Sequence, residues 1–196
     1  MRNIDEVKNC NHVLIALGGN IKGQKDSPLE QVNAAICEIS QSGVEVEAKS
    51  KVYRTPSFPL GSGPDFVNAV LLCVTDLSPV MVLKVLHDIE ARAGRTREQR
   101  WEPRVLDLDL LAVNDLISPD IETFRFWADL DLHDQKKMAP EELILPHPRL
   151  HERAFVLVPM MDVAPDWRHP VLGLTVAEMH AALDPAEYAE IIPVSQ

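Results

Sequence analysis

Between residues 12 and 113 two capped helical periodicities interleave with four β-type runs, and few folds accept that order. The apolar run 12–17 (HVLIAL) ends at Gly18-Gly19-Asn20, which reads as a buried strand meeting a tight turn. Ser27 then predicts an N-cap, with Pro28 at the first helical position and Glu30 as its capping-box partner. Leu29, Val32, Ile36 and Ile39 fall on one face of that helix, and Gly43 stops it. Residues 44–53 alternate in part and residues 66–75 are rich in β-formers, so both predict strands, joined by a loop carrying Pro56, Pro59 and Pro64. Ser78-Pro79 opens a second helix with Val82, Leu86, Ile89 and Ala93 on one face, closed by Gly94. Residues 105–113 (VLDLDLLAV) form a strand with Leu106, Leu108 and Leu110 on one side and Asp107 and Asp109 on the other. The order βαββαβ predicts an α/β (α+β) fold of ferredoxin-like type, an antiparallel sheet with helices packed on one face.

Beyond residue 113 the pattern weakens. Residues 115–142 are acidic and aromatic (Phe124, Phe126, Trp127) and read as an insertion of inert surface. Order resumes at residues 143–145, a helical stretch follows over 153–161, and Thr175 with Glu178 makes a capping box for a last short helix. At 196 residues the chain fills one core, so residues 1–196 are expected to form a single domain. Cys10, Cys37 and Cys73 form no CxxC pair, which argues against a disulfide framework or structural zinc and for a reducing, cytoplasmic location. No apolar run approaches the roughly 18 residues of a membrane span, and no signal peptide is visible. A net charge of −11 repels polyanions, so neither nucleic acid nor membrane is an expected partner.

Against that acidic background Arg92, Arg95, Arg97, Arg100 and Arg104 cluster, either as an anion site or as a solvated loop balanced by Glu98 and Glu102. Asp107 and Asp109, two residues apart on one strand face, reach the same hard cation or two neighbouring ones. Alone such a pair is more often a solvent-facing one; with Arg95, Arg97, Trp101 and Arg104 just upstream it matches a polyphosphate. Guanidinium forks bind phosphate oxygens while Mg²⁺ bridges and neutralises them. No GxGxxG, P-loop or GxSxG motif occurs, and His147 and His151 lack the glutamate of HExxH. No side chain stands out as a general base.

Taken in order, several blocks resemble the 6-hydroxymethyl-7,8-dihydropterin pyrophosphokinases of folate biosynthesis. They are Ala16-Leu17-Gly18-Gly19-Asn20, Tyr53-Arg54-Thr55-Pro56, Asp65-Phe66-Val67-Asn68-Ala69, the stretch 90–97, Arg100-Trp101-Glu102-Pro103-Arg104-Val105-Leu106-Asp107-Leu108-Asp109, Pro146-His147-Pro148-Arg149-Leu150 and Arg153-Ala154-Phe155. The resemblance spans residues 15–165. It implies transfer of diphosphate from ATP to the hydroxymethyl group of a reduced pterin, with two Mg²⁺ ions on Asp107 and Asp109; the chain itself is expected to be a monomer. It implies phosphate contacts by Arg95, Arg97 and Arg104 and ATP-side contacts by Glu90, His147 and Arg153. It also places the pterin between Phe66 and Phe155, read by Thr55 and Asn68, with Pro56 beside it and Trp101 as a lid residue. Glu102 departs from the small residue usual in the family. Two rivals stand beside this reading: another DxD transferase with a different acceptor, and a binding module that kept the pocket without turnover.

Overall fold

The computed structural model describes residues 10–57, 63–94, 104–131, 134 and 137–194. In chain order the elements are β1 (Asn11–Gly19), α1 (Pro28–Ser40), β2 (Glu45–Lys49), β3 (Tyr53–Thr55), β4 (Phe66–Thr75), α2 (Pro79–Arg92) and β5 (Asp107–Val113). There follow α3 (Ile121–Ala128), a 3₁₀ turn (Leu150–Glu152), α4 (Ala154–Val163), α5 (Val176–Ala181), α6 (Pro185–Tyr188) and β6 (Ile192–Pro193).

β1 lies inside the sheet because its residues are apolar on both faces. It pairs antiparallel with β4 from Asn11↔Thr75 to Gly19↔Val67, and with β5 on its other edge. The strand order is β5-β1-β4-β3-β6, with β2 also on β4, so the ferredoxin-like core is present. The strand expected over 44–53 is broken in two. At the break the Ser50 hydroxyl accepts the Val70 N–H at 2.9 Å, and the Ser50 N–H donates to the Val70 carbonyl at 3.0 Å. A side chain there takes over a ladder bond, and β2 and β3 continue along the same edge of β4.

α1 and α2 cover the first face, packing Val32, Ile39, Val82, Leu86 and Ile89 on Ile15, Leu17, Leu71 and Leu108. Both start as expected, at Ser27 and Ser78. In α1 the Ser27 hydroxyl accepts the Glu30 N–H, but Glu30 reaches past the cap to the N–H of Asp26 at 3.1 Å, so the reciprocal bond is shifted by one residue. Gly43 and Gly94 adopt φ of 81° and 92°, the left-handed conformation that ends each helix.

The two helices of the βαββαβ core share one face as expected, and the C-terminal helices cover the other. α4 and α5 bury Val156, Leu157, Met160, Val176 and Met179 against Leu14, Val70 and Leu111 on the second face. Asp162 fastens α4 to β3, accepting the Lys51 N–H at 3.0 Å and the Tyr53 hydroxyl at 2.9 Å. Burial and Asp162 push the Tyr53 hydroxyl up to about 12. Within the 115–142 segment α3 forms behind an Asp120 cap, and its Phe124 is buried at 1% exposure. Beyond the capping box of Thr175 and Glu178, which forms as expected, the chain adds α6 and the short β6. Among the described residues no helix is long and apolar enough to cross a membrane.

Candidate active site

Directly opposed residues on neighbouring strands point to the same face, so the register sets a row across the sheet. It runs Asp107 on β5, Gly18 on β1, Asn68 on β4, Tyr53 on β3 and Pro193 on β6. With strands about 4.8 Å apart, the backbones at Asp107 and Asn68 lie roughly 10 Å from each other across the bare backbone of Gly18. In the next row on that face Asp109 opposes Ala16. The carboxylate pair and the amide thus stand on either side of a floor of small residues.

Gly18 and Gly19 belong to β1 itself and do not form the tight turn expected of them. A Cβ on Gly18 would sit 2.5 Å from Asn68 Oδ1, and one on Gly19 2.6 Å from the Val105 carbonyl oxygen. Close approach, and not φ, requires glycine here. Asn20 completes the junction: its N–H donates to the Arg104 carbonyl at 2.9 Å, its Oδ1 accepts the Arg104 N–H at 2.7 Å, and its Nδ2 donates to Pro64 at 3.2 Å. Sequence reasoning left Asn20 as a turn residue, and its only signal was its place after two glycines.

Two guanidiniums meet the carboxylates. Arg104 Nη1 contacts Asp107 Oδ2, and Arg153 Nη1 lies 3.9 Å from Asp109 Oδ2. Arg153 also sits over the Phe155 ring, its Cζ 5.6 Å from the centroid. Burial, opposed by Asp109 and Asp107, lowers the Arg153 pKa.

His147 is positioned by a β-bulge. Leu14 opposes Ala112 while Ile15 opposes Leu110, so Leu111 is the extra residue. The Leu111 carbonyl accepts the His147 N–H at 2.7 Å. Arg149 N–H donates to His147 Nδ1 at 3.2 Å, leaving the proton on Nε2. Burial, then Arg153, push the His147 pKa down to about 3 despite Asp107, so at neutral pH it offers a donor without a charge.

Thr55 and Asn68 are brought together, Nδ2 of Asn68 donating to Thr55 Oγ1 at 2.7 Å, with both residues buried. Phe66 opposes Thr55 and is half-buried, as is Pro56; Phe155 is 40% exposed at the start of α4. Glu90 stands apart. It is buried in α2 on the first face, and its Oε1 accepts the Leu108 N–H at 2.8 Å, which supports β5 from beneath the aspartates. Arg95, Arg97, Trp101 and Glu102 lie outside the described residues.

Among the described residues no group of three or more His, Cys, Asp or Glu side chains gathers to hold a metal. Asp107 and Asp109 supply two carboxylates on one face, a donor set that suits Mg²⁺, which fills its remaining positions with water and phosphate oxygens.

A family model described as 7,8-dihydro-6-hydroxymethylpterin-pyrophosphokinase matches residues 14–165. The chain is 34% identical over 181 residues to the 2-amino-4-hydroxy-6-hydroxymethyldihydropteridine pyrophosphokinase of Synechocystis sp., covering 92% of this chain and 80% of that one. It is 37% identical over 172 residues to the enzyme of the same name from Methylorubrum extorquens, covering 88% and 93%. In fold it is similar to wild-type HPPK-DHPS of Plasmodium falciparum, with a TM-score of 0.61 at 14% identity over 88% of this chain. It spans only 44% of that longer chain.

Proposed function

The chain belongs to the 7,8-dihydro-6-hydroxymethylpterin-pyrophosphokinase family, whose members transfer diphosphate from ATP to a reduced hydroxymethylpterin in folate biosynthesis, and we propose that Asp107 and Asp109 hold two Mg²⁺ ions for that transfer here. The row carrying Asp107, Gly18 and Asn68 is the observation that carries this assignment. It separates a metal-binding pair from a hydrogen-bonding edge by roughly 10 Å, a span that a pterin and its hydroxymethyl arm bridge toward a metal-bound phosphate. Bound Mg²⁺ supplies neutralisation of phosphate charge.

The chain's own residues do the remainder. Arg104 and Arg153, each beside one of these carboxylates, would turn to phosphate oxygens where Asp107 and Asp109 hold the ions. Arg95 and Arg97 join them from the resemblance. His147 donates its Nε2–H to an ATP oxygen as a neutral group. With one amide hydrogen held by Thr55, Asn68 keeps Oδ1 and its second hydrogen to read the pterin's acceptor and donor edge. Phe66 and Phe155 take the ring faces, with Pro56 and Trp101 at its margin, while Glu90 acts through β5. The hydroxymethyl oxygen attacks the β-phosphorus and gives up its proton to solvent, the bond to the α-phosphate oxygen breaks, and AMP leaves with that oxygen. Positioning and charge neutralisation drive the step.

Phosphorus NMR of the protein with ATP, Mg²⁺ and the reduced pterin tests the reaction. One AMP is expected per pterin diphosphate; ADP with a pterin monophosphate would sink the diphosphate transfer. Absence of any product with both ligands bound would favour a binding module. Phe66→Ala and Phe155→Ala are each expected to weaken pterin binding by about 1–3 kcal/mol while leaving ATP binding nearly unchanged, since ring stacking is what they lose. Equal losses for both ligands in calorimetry would point to damaged packing instead.

A further inference from the structure

β3 carries Thr55, yet it is only three residues long and sits on the edge of β4. So short a strand is weakly fixed by one neighbour. Its outer edge is closed by the chain's C-terminal strand. β6 pairs Pro193 with Tyr53 and Ile192 with Arg54, and the Val194 N–H donates to the Val52 carbonyl at 2.8 Å. Pro193 therefore ends the same row that holds Asp107 and Asn68.

The tail meets β3 by a second route, on the face that carries Arg54. Glu190 and Ile192 line a cavity of about 310 Å³ together with Arg54, Pro56 and Asp65, so the tail flanks the residue that follows Thr55. Within that wall Arg54 Nε lies 3.8 Å from Asp65 Oδ2, linking β3 to the start of β4. β6 is exposed at both of its residues, Ile192 to 41%, while Val194 just beyond it packs against the first-face core. The tail also lies beyond the residues that match the family, 14–165.

We infer that β6 is a positioning element for pterin recognition, holding β3 so that Thr55 orients the Asn68 amide. This rests on the assignment of Thr55 and Asn68 as pterin readers. Two variants test it: a chain ending at Ala189, and Val194→Pro in the full chain, which removes the N–H that bonds Val52, with Val194→Ala as the control for the side chain that packs on the first-face core. Each is expected to raise KM for the pterin by about tenfold, with kcat and KM for ATP within about twofold. Asn68→Ala is expected to cost less in the shortened chain than in the full one, because the positioning it exploits is already lost. Unchanged pterin KM in both variants, or a rise in pterin KM matched by an equal rise in KM for ATP and a fall in kcat and melting temperature, overturns the inference. If Asn68→Ala in the full chain leaves pterin KM unaltered, the reader assignment itself fails. If Asn68→Ala weakens pterin binding but the tail variants do not, only the role of β6 fails. Should the shortened chain not fold, Val194→Pro decides alone.

Discussion

Asp107→Asn and Asp109→Asn are each expected to lower kcat/KM by about three orders of magnitude while shifting the melting temperature little. Asparagine keeps the size and one acceptor of the carboxylate but removes the charge that holds a hard cation. The fold should tolerate the change, because both side chains lie on the partly open second face and β5 is anchored instead by Leu106, Leu108 and Leu110. What the variants leave behind are Arg104 and Arg153, each short of its counter-charge but partly exposed, where such pairs contribute little stability. Turnover measured across a Mg²⁺ titration, alongside thermal unfolding, checks the expectation. Activity near that of the unaltered chain at saturating Mg²⁺ in both variants would remove the metal assignment.

What was legible in the sequence was local. Alternation put Asp107 and Asp109 on one side of a strand and three leucines on the other, and that holds because period two is a property of the strand itself. Serine caps at Ser27 and Ser78 and left-handed Gly43 and Gly94 bounded two helices for the same reason. Illegible were the features set by pairing between distant residues. Gly18 looked like part of a turn because a glycine pair carries no mark of the partner that demands it. Only the register with Asn68 shows that a side chain there would collide. Asn20 and Asp162 likewise act on residues more than 80 positions away. The β6 segment has just two paired residues, too few for any periodicity to show. Glu90 was read as an ATP contact because it stands in a block that matches the family; its burial and its bond to Leu108 give it a supporting place.

Phe124→Ala is expected to destabilise the protein by about 3–5 kcal/mol, whereas Phe126→Ala, two residues along the same helix, should change stability by less than about 0.5 kcal/mol. The contrast follows from exposure: Phe124 is 1% exposed and Phe126 52%. The Phe124 ring meets His169 edge-on at 5.4 Å, and His169, fully buried, in turn meets Trp167 at 5.7 Å and His151 at 6.3 Å. Truncation at residue 124 removes a ring from this cluster, and α3 has no other buried residue with which to close the gap. Burial, then His151, hold His169 neutral, its pKa pushed down to about 4, so the ring cluster packs without a charge inside it. The cluster reaches the site through His151, which lies on the 3₁₀ turn between His147 and Arg153. A smaller loss of kcat/KM, about tenfold at a temperature where the variant stays folded, should therefore accompany the loss of stability. Urea unfolding of the two variants beside the unaltered chain measures the first effect and steady-state kinetics the second. A Phe124→Ala variant within about 1 kcal/mol of the unaltered chain would return residues 115–142 to the standing of replaceable surface, and deletion of 119–140 would then be expected to leave both stability and turnover intact.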